Sequence, residues 1–219
     1  MSIENYNQAG IYCEDEYFNP TISSPNSPYE LPFYQTRETL LDVEIYKRFL
    51  DNAISRFRHS RTYKGYKGYL YELGLDRCQF LSNITSEMAS LEMHHHFLTI
   101  FDIALIITEH VLDTKGYIST FDLVQLLKEE HINNRVGLVM LNKTAHQLYH
   151  ANPDFFIHSD MLIGNWWEFL EKYHLGITQE IAFKILFYMK RCIEEGCSND
   201  AELLALHDKL LDWSVKNAK

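Results

Sequence analysis

The stretch that most constrains this chain is Leu138-Val-Met-Leu-Asn-Lys-Thr-Ala-His-Gln-Leu-Tyr-His150. A short apolar run ends at Asn142 and gives way to a pattern that predicts a short helix. Positions i and i+4 of a helix share one face, about one turn apart. His146 and His150 can therefore aim two imidazoles at one point, as a metal site requires. The plainer alternative is two solvated or helix-capping histidines. Upstream, Leu91-Glu-Met-His-His-His96 places further histidines at the end of a segment expected to be a strand.

Strand-His-His, a connection, then strand-helix-His-x3-His resembles the layout of the ββα-metal (HNH) nucleases. Leu138 to His150 is similar to the second half of the HNH motif, and Glu92-Met93-His94-His95 to its first half, E-x-H-H. A looser likeness to phage-type HNH proteins runs from about Tyr63 to Tyr173. The resemblance implies a divalent ion (Mg, Mn, Zn or Ni) on His94, His146 and His150, with His95 as general base. Consecutive strand residues face opposite ways, so His94 and His95 are not expected to share the ion. Three consecutive histidines leave the register open by one residue. The asparagine that orients the base in the family aligns with Gly137, while Asn133 and Asn134 fall just before it. Asn134 is taken as its stand-in. The paired cysteine knuckles of many HNH proteins have no counterpart at Asn142 and Ala145, so no second, structural zinc is expected.

Four scattered cysteines (Cys13, Cys78, Cys192, Cys197) fit free thiols in a reducing compartment. No apolar run is long enough to span a membrane, and the N-terminus lacks the pattern of a secretory signal. The expected location is cytoplasmic, within a bacterial host if the chain is phage-encoded. The net charge of −10 argues against a protein that coats nucleic acid indiscriminately. The charge is uneven, however. Residues 1–45 carry eight acids and one base, whereas 46–67 carry seven bases and one acid. Within the basic stretch, Arg56, Arg58, Arg61, Lys64 and Lys67 are interleaved with tyrosines and glycines. That mix suits phosphate contacts and base stacking, with double-stranded DNA as the expected partner. A solvated face beside aromatic core residues is the alternative.

Taken in order, residues 1–37 read as an extended acidic, proline-rich arm holding Pro20, Pro25, Pro28 and Pro32. Residues 38–84 combine a helix from Glu38 to Arg58 with the basic segment. Residues 85–173 form the ββα-metal unit, its first strand from Glu87 to His94, with a helical hairpin inserted at 97–131. Ser119 and Asp122 have capping-box spacing at the start of the second inserted helix. A short amphipathic helix follows over 164–173, and a helical hairpin over 174–219, with helices from Thr178 to Glu194 and Asn199 to Val215. The acidic arm and these last helices are the candidate protein-binding elements.

The expected fold is thus α+β and mostly helical: a ββα-metal finger with a helical-hairpin insertion and C-terminal helices. The activity implied by the resemblance is that of a metal-dependent HNH endonuclease cutting DNA. Gly137 and the acidic balance favour instead an HNH-derived protein that does not cut, serving as a phage adaptor, virion or inhibitor protein.

Overall fold

The structure, a computed structural model, describes residues 34–152, 154–196 and 200–216. The expected arm lies outside the described residues except for its last four. The fold is α+β and mostly helical, as the sequence indicates.

Helix α1 (Val43–His59) starts where the Asp42 carboxylate accepts hydrogen bonds from Glu44 N and Ile45 N. It buries Phe49, Leu50, Ala53, Ile54 and Phe57 and leaves its charged residues outside. Ser60 closes it and caps the next helix, α2 (Arg61–Glu72). The basic tyrosine segment is therefore helical despite Gly65 and Gly68, because Tyr66 and Leu70 sit one turn apart and both bury. The buried apolar stretch becomes α3 (Ile100–Lys115), begun by a Thr99–Asp102 capping box and ended by Gly116 in the left-handed conformation. The expected box at Ser119 and Asp122 opens α4 (Thr120–Ile132).

Two small antiparallel sheets complete this half. Strand β1 (Tyr34–Thr36) pairs with β3 (Tyr117–Ser119), a sheet with no counterpart in the sequence reading. Strand β2 (Leu91–His95) pairs with β4 (Leu138–Asn142) in the register Leu91↔Asn142, Met93↔Met140, His95↔Leu138. All five residues of β4 are buried. Its far edge is closed by Ile163, which exchanges hydrogen bonds with Leu138 at 3.0 and 2.7 Å. Gln79 closes it further along: its Oε1 accepts from Met140 N at 2.6 Å and its own N–H donates to Met140 O at 2.8 Å. No edge of the central strand is left open.

Asn142 ends β4 and caps α5 (Lys143–Ala151), its side chain accepting from Ala145 N. The hairpin and α5 thus form the ββα arrangement read from the sequence. Helices α6 (Trp166–Lys172), α7 (Gln179–Glu194) and α8 (Asp200–Lys216) follow, and one apolar core runs from Leu40 to Leu210. Asn199, read as the cap of the last helix, lies outside the described residues.

Gly137 occupies its position for a steric reason. A Cβ there would stand 2.4 Å from the His96 carbonyl oxygen, whose own N–H donates to Gly137 O at 3.1 Å. The two chains approach too closely at the mouth of the hairpin for any side chain, asparagine included.

Candidate metal centre

Along β2, alternation puts Glu92 and His94 on one face and Leu91, Met93 and His95 on the other. The first face meets α5. There the one-turn spacing of His146 and His150 brings both rings against His94, with centroids 4.8 and 5.4 Å away. One ring nitrogen from each of the three lies within 4.8 Å of the others.

The hydrogen-bond pattern limits what this cluster is for. His146 Nδ1 donates to the Glu92 carboxylate, which leaves its Nε2 with a single in-plane lone pair. Two nitrogens crowd that lone pair, His94 Nδ1 at 3.0 Å and His150 Nε2 at 3.1 Å. One lone pair cannot accept both well. A cation at the centre would instead receive three lone pairs at once. Donors of a tetrahedral imidazole site stand about 3.3 Å apart, so His94 Nδ1 and His150 Nε2, at 3.0 and 3.1 Å from His146 Nε2, need to draw back from it by only a few tenths of an ångström. Glu92 on the outer nitrogen of His146 is the usual companion of such a ligand, holding its tautomer and orientation. Burial, reinforced by His146 and His150, pushes His94 down to about 4. The ring is therefore neutral at pH 7, as a metal ligand must be.

Tyr149 braces the cluster. Its ring meets His94 edge to face at 4.7 Å, and its hydroxyl lies 3.1 Å from His96 Nδ1. Neither Tyr149 nor Glu92 carried a role in the sequence reading. The two-residue alternation of β2, which puts Glu92 beside His94, was the signal available for the latter.

His95 goes elsewhere. It is buried on the opposite face, where Nε2–H donates to His131 Nε2 at 2.8 Å. His131 Nδ1 is committed to Leu127 O at 2.7 Å, which fixes that direction. Burial, together with His131 and Arg58, holds His95 well below its ordinary value. Asn134 is near this side rather than the cluster. It adopts φ 52°, and its Oδ1 accepts from the Tyr66 hydroxyl at 2.7 Å.

The residues expected to contact nucleic acid lie on α1 and α2. Arg58, Arg61 and Lys64 are exposed, and Arg56 sits 6.0 Å over the Phe121 ring. Lys67 is used internally: its ammonium donates to Leu91 O at 2.5 Å and tethers α2 to β2.

The outside of the cluster opens on two clefts that share His150. One is shallow and lined by Glu92, Lys143, His146 and Gln147. The other, of about 330 Å³, runs between the end of α5 and α7.

The fold is thus mostly helical around a buried hairpin, with the three-histidine cluster on one face of β2 and His95 buried on the other. Comparison with protein families matches residues 12–216 to the Bacteriophage G278-like virion proteins. The chain belongs to that family. No curated protein and no solved structure matches it.

This corrects the family reading. The match covers nearly the whole chain, whereas the HNH resemblance rested on two short blocks, and it is to virion proteins. The endonuclease, the hydrolase class and the base role of His95 fall with it. The phage setting and the non-cutting alternative agree with the family. Among the described residues no helix is long and apolar enough to cross a membrane.

Proposed function

We propose that this protein is a structural component of a phage particle, built to contact other virion proteins, and that it carries a divalent transition ion as an internal staple. The ion is held by His94, His146 and His150, with Glu92 orienting His146. The observation that carries the staple is the convergence of two imidazole nitrogens, from His94 and His150, on the one lone pair of His146 Nε2. Three imidazoles and no carboxylate in the donor set favour Zn or Ni over Mg or Mn. Bound there, the ion would tie β2 to α5 across the whole α3–α4 insertion, a cross-link that works where disulfides are reduced.

The test is direct. After chelation and dialysis, zinc titration of the full chain should give one ion per chain. At a hundredfold excess over Kd it should raise Tm by roughly 5–10 °C. His146→Ala and His150→Ala should abolish both effects, while Glu92→Gln should weaken binding by about tenfold or more. Binding unchanged in the alanine variants would remove the staple. The particle role is checked separately, by mass spectrometry of purified virions for this chain.

A second reading concerns the face of α1 and α2. Among the described residues, Lys47, Arg48, Arg56, Arg58, Arg61 and Lys64 form no ion pair, whereas Arg37, Arg135, Lys172 and Lys184 pair with Glu109, Asp113, Glu130 and Asp102. An unneutralised basic face inside a particle fits contact with packaged nucleic acid. Duplex DNA binding that weakens steeply with salt, and is lost in the Arg58→Glu/Arg61→Glu variant, is the expected result. Salt-independent binding, or none, removes this reading.

A further inference from the structure

A four-coordinate ion on three histidines keeps one position open, and we propose that a carboxylate from a neighbouring virion protein fills it, carried beside an aromatic or aliphatic side chain that seats between α5 and α7. This rests on the ion reading above. Among the described residues the cluster offers three donors, and the adjacent acid, Glu92, is spent on His146. Structural zinc sites are ordinarily closed by a fourth protein ligand, whereas open positions belong to catalytic ones. Under this proposal the fourth donor comes from a neighbouring chain in the particle.

The cleft states what the donor should look like. His150, the most exposed of the three ligands, forms part of its wall together with His96, Phe97, Tyr149, Phe155 and Phe187. No aspartate or glutamate lines it, and its charged residues are Lys184 and Arg191. Both are held in place: Lys184 pairs with Asp102, and Arg191 stacks over Phe156 at 4.3 Å. A carboxylate entering here meets no acid of the cleft wall before it reaches the ion. The rim is apolar. Phe187, in the cleft wall, is 70% exposed, and Phe183, one turn before it on α7, is 62% exposed. A water molecule on the ion would account for the open position but not for a bare phenylalanine in the cleft wall.

The experiment uses the full chain loaded with cobalt(II), whose visible absorption changes with its fourth ligand. Three probes are added separately: N-acetyl-Glu-Phe-amide, its Gln counterpart and acetate. The glutamyl peptide should shift the spectrum at about one tenth of the acetate concentration, reflecting burial of its phenylalanine, and the glutaminyl peptide should not. Phe187→Ala, a surface change, should remove the peptide's advantage and leave the acetate response intact. A spectrum indifferent to all three probes, or equal potency of acetate and glutamyl peptide, overturns the proposal while leaving the staple standing. Failure of cobalt to enter wild type overturns both.

Discussion

Glu130 shows how a single residue sets the stability of this core. Its side chain is fully buried, with Arg135 donating at 2.6 and 3.0 Å, Lys172 at 2.7 Å and the Tyr173 hydroxyl at 2.9 Å. Burial pushes its carboxyl up, and the hydrogen bonds from Arg135, Lys172 and Tyr173 outweigh this, leaving it below the ordinary range. Glu130→Gln should cost about 2–3 kcal/mol, less than a wholly buried pair because Arg135 and Lys172 can turn to water. A depressed carboxyl contributes stability that is full above the unfolded value and is lost as pH falls through the folded one. The gap between wild type and Glu130→Gln in urea midpoints should therefore shrink below about pH 4.5. A gap unchanged down to pH 3 would contradict this. At the same scale, the meeting of His94 with His146 and His150 was legible, since helical and strand periods dictate it. The His95–His131 pair was not, because nothing in sequence links two residues so far apart.

Among the elements, those with a long apolar period were readable and those without were not. Helices α3, α4 and α7 follow from repeated burial every three or four residues, and the Ser119–Asp122 capping box marks the start of α4. Strands β1 and β3 are three residues each, too short for any alternation to register. In α2, Gly65 and Gly68 were read with the basic residues and tyrosines as part of a nucleic-acid-contact segment, yet they sit inside a helix and a Cβ at either would meet nothing within 4 Å. Replacing both with alanine should stabilise the protein by about 1–2 kcal/mol, seen as a higher Tm. Gly137→Ala should do the reverse by about 2 kcal/mol or more, because the His96 carbonyl stands in the way. If Gly137→Ala melts like wild type, the close approach at the hairpin mouth is wrong.

At the level of the whole molecule, two motif blocks pointed to a nuclease, whereas the match over residues 12–216 is to virion proteins. A histidine-bearing hairpin and helix can be assembled on a packed structural protein as readily as on an enzyme, since function resides in the site and not in the layout. If the ion is the staple proposed above, limited proteolysis should separate the two states: zinc-loaded chain cut slowly between β2 and α5, chelated chain cut several-fold faster, with no difference in His150→Ala.

The register of β2 against β4 also carries a consequence for synthesis. Some forty residues, holding all of α3 and α4, lie between the two strands. At translation speeds of about 5–20 residues per second, β2 leaves the ribosome a few seconds before its mate exists. For that interval its backbone edge and three consecutive histidines wait uncovered, among many identical nascent chains in a cell making particles. Lys67, already emerged on α2 and tied in the finished fold to the carbonyl of Leu91, is an early contact able to occupy the start of that edge.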